Sequence, residues 1–573
     1  MKNRTIAEMF DRMADILEFK GELPFRVLAY RKASRVIQDL RDDIETIWKE
    51  GRLEEIPGIG EGMAKKIDEY LSSGKMTKYD EVTKGVPSSL IDLLNIQGLG
   101  PKTLSLAYEK LKVKNLEDLK RVIADGSLSK LPRMGEKKVE SINKGIQLFV
   151  ASHERMSLGV ALPVAERVIE ELKKAAKVKR ISTAGSLRRL KETIGDIDIL
   201  CDSTDGQGII KKFAELPSVE QVLASGETKA SIIVEGGTQV DLRVVEPDSY
   251  GAALQYFTGN KDHNVKLREI AKKQGLKINE YGVFKGKKRI GGKNEEDIYR
   301  AVGIPMMEPE LREDRGEIEA ALERALPKLV TRSDIKGDLH VHSIYSDGSD
   351  SLMTIAETAV SMGYSFIAIC DHSKSASYAG GMNETALLKQ INEIRKVNTR
   401  FGEKGFKLLA GIEVDIKADG ALDFSDEILK KLDVVVASIH SGFKQRVTER
   451  IISAMKNPYV HIIGHPTGRL ISRREGYNVD LGKVMEAARD TRTALEINAY
   501  YDRLDLSDIT SRKAKELGIT LAIGTDSHSI AHLDFMKFGL AVARRGWLEK
   551  SDLLNTLRPQ ALLTWLESKK KVI

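Results

Sequence analysis

The sequence predicts a multidomain chain of mixed class, α+β passing into α/β, and three observations predict it. A glycine turn followed by a helix start recurs at 56–67, 96–107 and 131–142. From about 151 helices alternate with short strands, and after 335 seven apolar runs each end in polar side chains. At 573 residues the chain has room for about four domains. Hydrophobic residues at 41% and charged residues at 31% are ordinary for a soluble globular protein. The net charge of +7 permits an acidic polymer as partner without demanding one. Cys201 and Cys370 give no disulfide framework and predict a reducing compartment. No run nears the ~20 apolar residues of a membrane span. The N-terminus lacks the uninterrupted apolar stretch of a signal peptide.

In FRVLAYRKASRVIQDL (25–40) the apolar residues form a helical stripe, with Arg26, Arg31, Lys32 and Arg35 outside it. Then comes the repeat: IPGIGEGMAKKI, IQGLGPKTLSLA and LPRMGEKKVESI. Gly58, Gly60, Gly98 and Gly100 let the backbone approach a phosphate, and the helix that follows offers unpaired N–H groups. Arg133 replaces the first glycine of the third copy. The frame resembles the helix-hairpin-helix module, which implies contacts to nucleic-acid phosphates that read no base.

From 151, ERVIEELKKAAKV reads as a helix, and KRISTAGS, IDILCD, ASIIVEG and TQVDLRVV read as strands. They predict an antiparallel or mixed sheet backed by helices. In GSLRRLKETIGDIDIL (185–200) strand alternation puts Asp196 and Asp198 on one face, about 7 Å apart. Asp241 of QVDLR adds a third carboxylate from a second strand. Such a set can share two divalent cations for phosphoryl transfer, with Gly185, Ser186 and Arg189 cradling a triphosphate.

YFTGN (256–260) stands in frame with the three aspartates. On these motifs residues 1–312 resemble the family X DNA polymerases. The resemblance implies that Tyr256 and Phe257 bracket the sugar beside Gly259, that Asn264 reaches the minor-groove edge of the base, and that Arg268 contacts the template. It places Arg155 and Arg189 at the triphosphate, and KINEYGVF, with Glu280, in a further family segment. Lys66 falls at the family's Schiff-base lysine, with Tyr30 matching and Arg26 standing in for a lysine among the phosphate ligands. Gly62 and Phe25 depart from that pattern, so lyase activity on 5′-deoxyribose phosphate is expected to be weak. Gln239, beside the third aspartate, and Asn260 also depart from it.

The seven late runs are GDLHVHS, FIAICDHS, LLAGIEVD, VVVASIHS, HIIGHP, ALEINAY and LAIGTDSH. Strands that end in such side chains predict a β/α barrel with its site at the strand C-termini. Eight of the ten histidines lie beyond 335. Residues 335–573 resemble the polymerase-and-histidinol-phosphatase (PHP) domain. That resemblance implies the ligand set His340, His342, Asp347, His372, Glu413, His440, His465, Asp526 and His528, for two or three Zn2+ or Mn2+ ions. Asp371, Asp415 and Glu496 are placed to orient those ligands, whereas His153, His461 and His532 read as structural.

The predicted organisation starts with a helical, lyase-like helix-hairpin-helix domain at 1–83 and a second such subdomain at 84–150. A nucleotidyltransferase palm with a mixed sheet follows at 151–249, and a nucleotide- and template-contacting subdomain at 250–312. A linker at 313–334 leads to a distorted (β/α)7 PHP barrel at 335–573. The resemblances imply a DNA-directed DNA polymerase that fills short gaps in DNA repair with Mg2+ or Mn2+. They imply a metal-dependent 3′→5′ exonuclease as well, with AP endonuclease and 3′-phosphatase chemistry open to the same cluster. Gapped or nicked DNA and dNTPs are the implied partners of a cytoplasmic, nucleoid-associated monomer with no membrane contact. The alternatives are a DNA-end-binding repair scaffold with a vestigial nuclease and a small-molecule nucleotidyltransferase.

DNA affinity is expected to depend on salt and hardly on sequence, because backbone amides and Lys65, Lys66, Lys102, Lys137 and Lys138 suit phosphates. Each neutralised phosphate contributes about −0.9 to the slope of log K against log salt on duplex DNA. A salt series on several unrelated duplexes measures this, and a flat response removes the phosphate assignment.

Overall fold

The computed structural model describes residues 2–38, 44–56, 58–84, 86, 88–96, 98–132, 134–153, 155–234, 237–471 and 473–571. The chain divides into two compact units, Met1–Glu154 with Ser472–Arg474 and Arg155–Ile471 with Glu475–Ile573. No helix among the described residues is long and apolar enough to cross a membrane.

The first unit is helical and has two cores. Helices Lys2–Phe19 and Pro24–Gln38 bury Phe10, Met13 and Ile37 with Ile67 of helix Glu61–Ser73. Leu104, Leu119, Val122 and Ile142 form the second core. In the first two copies of the repeat, buried Ile59 or Leu99 sits between two exposed glycines. Gly58 and Gly98 hold φ of 98° and 87°, a region that side chains disfavour, and helices Glu61–Ser73 and Pro101–Leu111 follow. Arg133 and the side chains of Arg35 and His153 lie outside the described residues.

The second unit begins with a five-stranded mixed sheet in the order Ile181–Thr183, Ile197–Asp202, Thr238–Val245, Lys229–Val234, Val219–Ser225. Only Ile197–Asp202 and Thr238–Val245 run parallel, and their register sets Asp198 opposite Asp241. The edge strand Val219–Ser225 escapes a reading by pattern because almost all of it is exposed, so no alternation marks it. A smaller antiparallel sheet, Leu276–Asn279, Gly282–Lys285 and Lys288–Gly291, lies beyond.

The C-terminal sheet has seven parallel strands in sequence order: Gly337–Val341, Phe366–Ile369, Lys407–Asp415, Val434–Ser438, Ile462–Ile463, Ala494–Asn498 and Leu521–Gly524. It closes nearly into a barrel. At the C-terminal end His342 N donates to Ser527 O (2.8 Å) and Asp526 N to His340 O (2.9 Å). At the other end fully buried Asn555 bridges the first and last strands. Its Nδ2 donates to Gly337 O (3.0 Å) and Ile523 O (2.8 Å), and its Oδ1 accepts from Ile523 N (2.7 Å).

Residues 313–334, read from the sequence as a linker, are packed into this unit. Glu317 is fully buried 2.6 Å from His263 Nδ1, Glu313 faces two arginines, and Val330 N donates to Leu548 O (3.0 Å). Acidic groups of the segment face buried partners.

Asn555→Ala is expected to open the barrel seam, since each buried group left unpaired costs about 1–3 kcal/mol. A lower midpoint of chemical denaturation for the barrel checks this, and an unchanged midpoint shows that the backbone closure at the other end suffices.

Candidate active sites in the palm and the barrel

The parallel register brings Asp196, Asp198 and Asp241 together, with one oxygen of each within 4.8 Å of the others. Burial, then the charges of Asp196 and Asp241, push the Asp198 carboxyl up to about 6. Lys229 Nζ lies 3.0 Å from Asp241 Oδ2, and Gln239 Nε2 donates to Asp241 Oδ1 (3.0 Å). The first of these has no signature in the sequence; it comes from antiparallel pairing of the neighbouring strand. Gly185 opens the short helix Gly185–Arg188 at φ 56°, and a Cβ there would lie 2.1 Å from Asp198 Oδ2. Ser186 follows it directly. The carboxylate occupies the room that glycine leaves.

Tyr256 and Phe257 meet edge to face at 5.1 Å, and Arg243, two residues past Asp241, covers the Phe257 ring at 4.5 Å. Gly259 N caps the helix Tyr250–Thr258 by donating to Gln255 O (3.0 Å). Asn264 is buried, and its amide is spent on Tyr256 O (2.7 Å), Gly259 O (3.0 Å) and Gln255 Nε2 (2.8 Å). It braces the YFTGN turn. Arg268 Nε donates to Asn264 O (3.2 Å), and Arg155 is held by Thr193 Oγ1 (3.1 Å) and Thr193 O (2.6 Å).

Arg189 is anchored within the palm unit. Its side chain is 10% exposed, with Nε on Glu313 Oε1 (2.9 Å) and Nη1 on Thr258 O (2.6 Å). Glu313 and the Thr258 carbonyl set its place.

In the first unit Lys66 Nζ donates to Gly62 O and stands 5.8 Å from the Tyr30 ring. Burial and the nearby Lys78 charge hold the Lys66 ammonium below its usual range. Arg26, exposed, pairs with Glu22 at 3.2 Å.

In the barrel, three overlapping groups could each hold an ion: His342, Asp347, His372 and His528; His340, His342 and Asp526; His372, Glu413 and His440. His465 joins them through Glu413 Oε1, 3.0 Å from its Nε2. The donor set fits metal. His340 Nε2, both His342 nitrogens and Glu413 Oε2 are buried without a hydrogen-bond partner, and Glu413 Oε2 stands 3.6 Å and 3.8 Å from the two Nε2 atoms. Carboxylates fix the rings from behind: Glu496 Oε1 at 2.7 Å from His340 Nδ1, and Asp415 Oδ1 at 2.8 Å from His440 Nδ1. Asp371 acts differently, accepting from the backbone N of Ser343 (2.8 Å) and of Ser346 (3.1 Å) and so holding the loop that carries Asp347. Asp526 is held at φ 54°, the kind of local strain found at ligand sites.

His461 accepts from Val435 N (3.0 Å), and His532 stacks on Phe535 at 4.7 Å. Two neighbours were missed by sequence reasoning. Arg503 Nε lies 3.6 Å from Asp526 Oδ2, and Tyr378, 63% exposed, has its ring 6.3 Å from that of His372. Arg503 follows the strand Ala494–Asn498 closely, the one sequence signal for it, whereas Tyr378 lies well beyond the end of Phe366–Ile369.

An acidic group on a mixed sheet joined to a histidine-lined parallel barrel defines a two-centre phosphoryl-transfer protein. Family models match in the same order: a helix-hairpin-helix domain at 1–76, a SAM-like helix-hairpin-helix tandem at 90–147, a DNA polymerase beta thumb at 253–313 and a PHP domain at 338–499. The chain is 38% identical over 562 residues, 97% of each chain, to the DNA polymerase/3′-5′ exonuclease PolX of Bacillus subtilis (strain 168). Over 233 residues, 38% of this chain and 89% of the relative, it is 33% identical to a probable phosphatase of Thermoanaerobacter sp. (strain X514). DNA polymerase lambda of Arabidopsis thaliana is 28% identical over 345 residues, 54% of this chain and 62% of the relative. The chain belongs to the family X DNA polymerases that carry a PHP domain.

Divalent-ion binding at the palm is expected to strengthen as pH rises through about 6, because the ion must displace the Asp198 proton below that point. Mn2+ titration by electron paramagnetic resonance, on a His340→Ala/Asp526→Ala background, checks it. A pH-independent affinity shows all three carboxylates ionised throughout.

Proposed function

We propose that this chain is a DNA-directed DNA polymerase that also trims DNA as a 3′→5′ exonuclease, the palm serving the first reaction and the barrel the second. The observation that carries the reading is the gathering of two separate metal-type donor sets, one on each sheet. Similarity over almost the whole length to a protein named for both activities supports it. So do the two helix-hairpin-helix matches, for which a small-molecule nucleotidyltransferase has no use.

At the palm, Asp196, Asp198 and Asp241 would hold Mg2+ or Mn2+, which supplies activation of the primer 3′ hydroxyl and neutralisation of the departing pyrophosphate. Ser186 and Arg155 serve the triphosphate. The Tyr256–Phe257 pair, backed by Arg243, walls the incoming sugar, and Arg268 faces the template. In the barrel the nine ligands would hold two or three Zn2+ or Mn2+ ions, which supply a hydroxide near neutral pH. Arg503 balances phosphate charge beside Asp526. The natural substrates on this reading are gapped or nicked DNA and dNTPs in cytoplasmic, nucleoid DNA repair, with abasic-site cleavage and 3′-phosphate removal within reach of the same cluster. Lys66 adds a weak 5′-deoxyribose-phosphate lyase, favoured by its lowered proton affinity.

On a primed, gapped duplex Asp198→Ala is expected to lose nucleotide addition by orders of magnitude and keep Mn2+-dependent 3′-end degradation. His340→Ala is expected to do the reverse. A folded variant that loses both activities together overturns the assignment of one reaction to each site.

A further inference from the structure

The seam between palm and barrel is a buried chain of alternating charge that ends at the palm site. Arg545, the last residue of barrel helix Met536–Arg545, has a side chain 4% exposed. Its Nη1 donates to Glu313 Oε1 (2.9 Å) and to the backbone carbonyl of Arg189 (2.8 Å). Its Nε and Nη2 reach Asp508 Oδ2 at 3.0 Å and 2.8 Å, and Asp508 also takes Arg315 Nη1 at 2.8 Å. Glu313 in turn holds Arg189 Nε, and Arg189 Nη1 holds Thr258 O. Arg189 is the C-cap of the short helix whose first residue, Gly185, abuts Asp198, and Thr258 ends the helix that carries Tyr256 and Phe257. Two walls of the palm site therefore rest on one barrel guanidinium. None of these residues belongs to the barrel's metal-type groups.

We propose that Arg545 is a positioning residue for nucleotide addition: through Glu313 and Arg189 it fixes the Gly185–Arg188 turn against Asp198 and the end of the Tyr250–Thr258 helix. The inference rests on the polymerase reading of the palm. It gives the barrel a second task that does not pass through its metal cluster. Bidentate geometry is what the task requires, since one planar fork must span Glu313, Asp508 and a backbone carbonyl at once. Loss of the fork leaves no orphaned carboxylate, because Glu313 keeps Arg189 and Asp508 keeps Arg315. The usual penalty for breaking a buried pair is therefore reduced, and the variants are expected to fold.

The test is steady-state nucleotide addition and 3′-end degradation by the full chain carrying Arg545→Met, Arg545→Lys, Glu313→Gln, or Arg545→Met with Glu313→Gln. The expected result is a fall of about 10²-fold in kcat/KM for the nucleotide in Arg545→Met, the scale of a small misplacement relayed to a reacting centre. Degradation should be unchanged. Arg545→Lys should recover part of the loss, and the double variant should lose no more than the worse single one, because both act along one path. Hydrogen exchange at 185–190 should rise in Arg545→Met and stay as in the wild type elsewhere in the palm. Unchanged nucleotide kcat/KM in a folded Arg545→Met, or equal loss of both activities, overturns the proposal while leaving the polymerase reading intact. A wild-type protein that adds no nucleotide overturns both, and the Asp198→Ala control tells the two failures apart.

Discussion

Parallel strand register is the constraint on which both sites depend. In the palm it sets Asp198 directly across from Asp241, and in the barrel it sets His372 beside Glu413. A slip of one residue would turn every donor to the opposite face, because side chains alternate with a period of two. Neighbouring parallel strands share a direction, so their ends bring side chains from distant sequence positions to one edge. The palm uses one such pair, and the barrel uses seven strands in succession.

That convergence crowds charge, and the rest of the structure manages it. In the palm, burial and the charges of Asp196 and Asp241 raise the proton affinity of Asp198, while Gln239 and Lys229 hold the Asp241 carboxyl below its usual range. The barrel sets histidines among its carboxylates and supports them from behind with Glu496 and Asp415, leaving inward-facing nitrogens unpaired. A buried, oriented and unpaired donor is costly without a ligand. It is the arrangement expected of a site whose ion completes it.

The same economy of buried charge joins the two folds. The connection at 313–334 supplies Glu313, which neutralises the buried Arg189, and Glu317, which pairs with the His263 imidazole, whose proton affinity burial lowers. Buried ion pairs add little net stability but fix geometry closely, since few arrangements satisfy every member. Arg469 with Glu192 (2.7 Å) is a further tie between barrel and palm, at a more exposed position.

Much of this was legible in sequence because it is local. The glycine turns, the seven strand ends and the aspartates two residues apart all follow from backbone periods and from what glycine permits, and the carried-over ligand positions sit on those same strand ends. Pattern failed where burial did not alternate, as at the exposed edge strand Val219–Ser225. It was silent where a long side chain could choose among partners. Arg189 binds Glu313, 124 residues away, and its carbonyl is held by Arg545, 356 residues away. The sequence by itself determined which chemistry each site can support, because that depends on residue types at fixed local spacing. Only the tertiary structure decided which charges face solvent and which hold the two folds together, because a buried charge takes its partner from whatever the packing brings within reach.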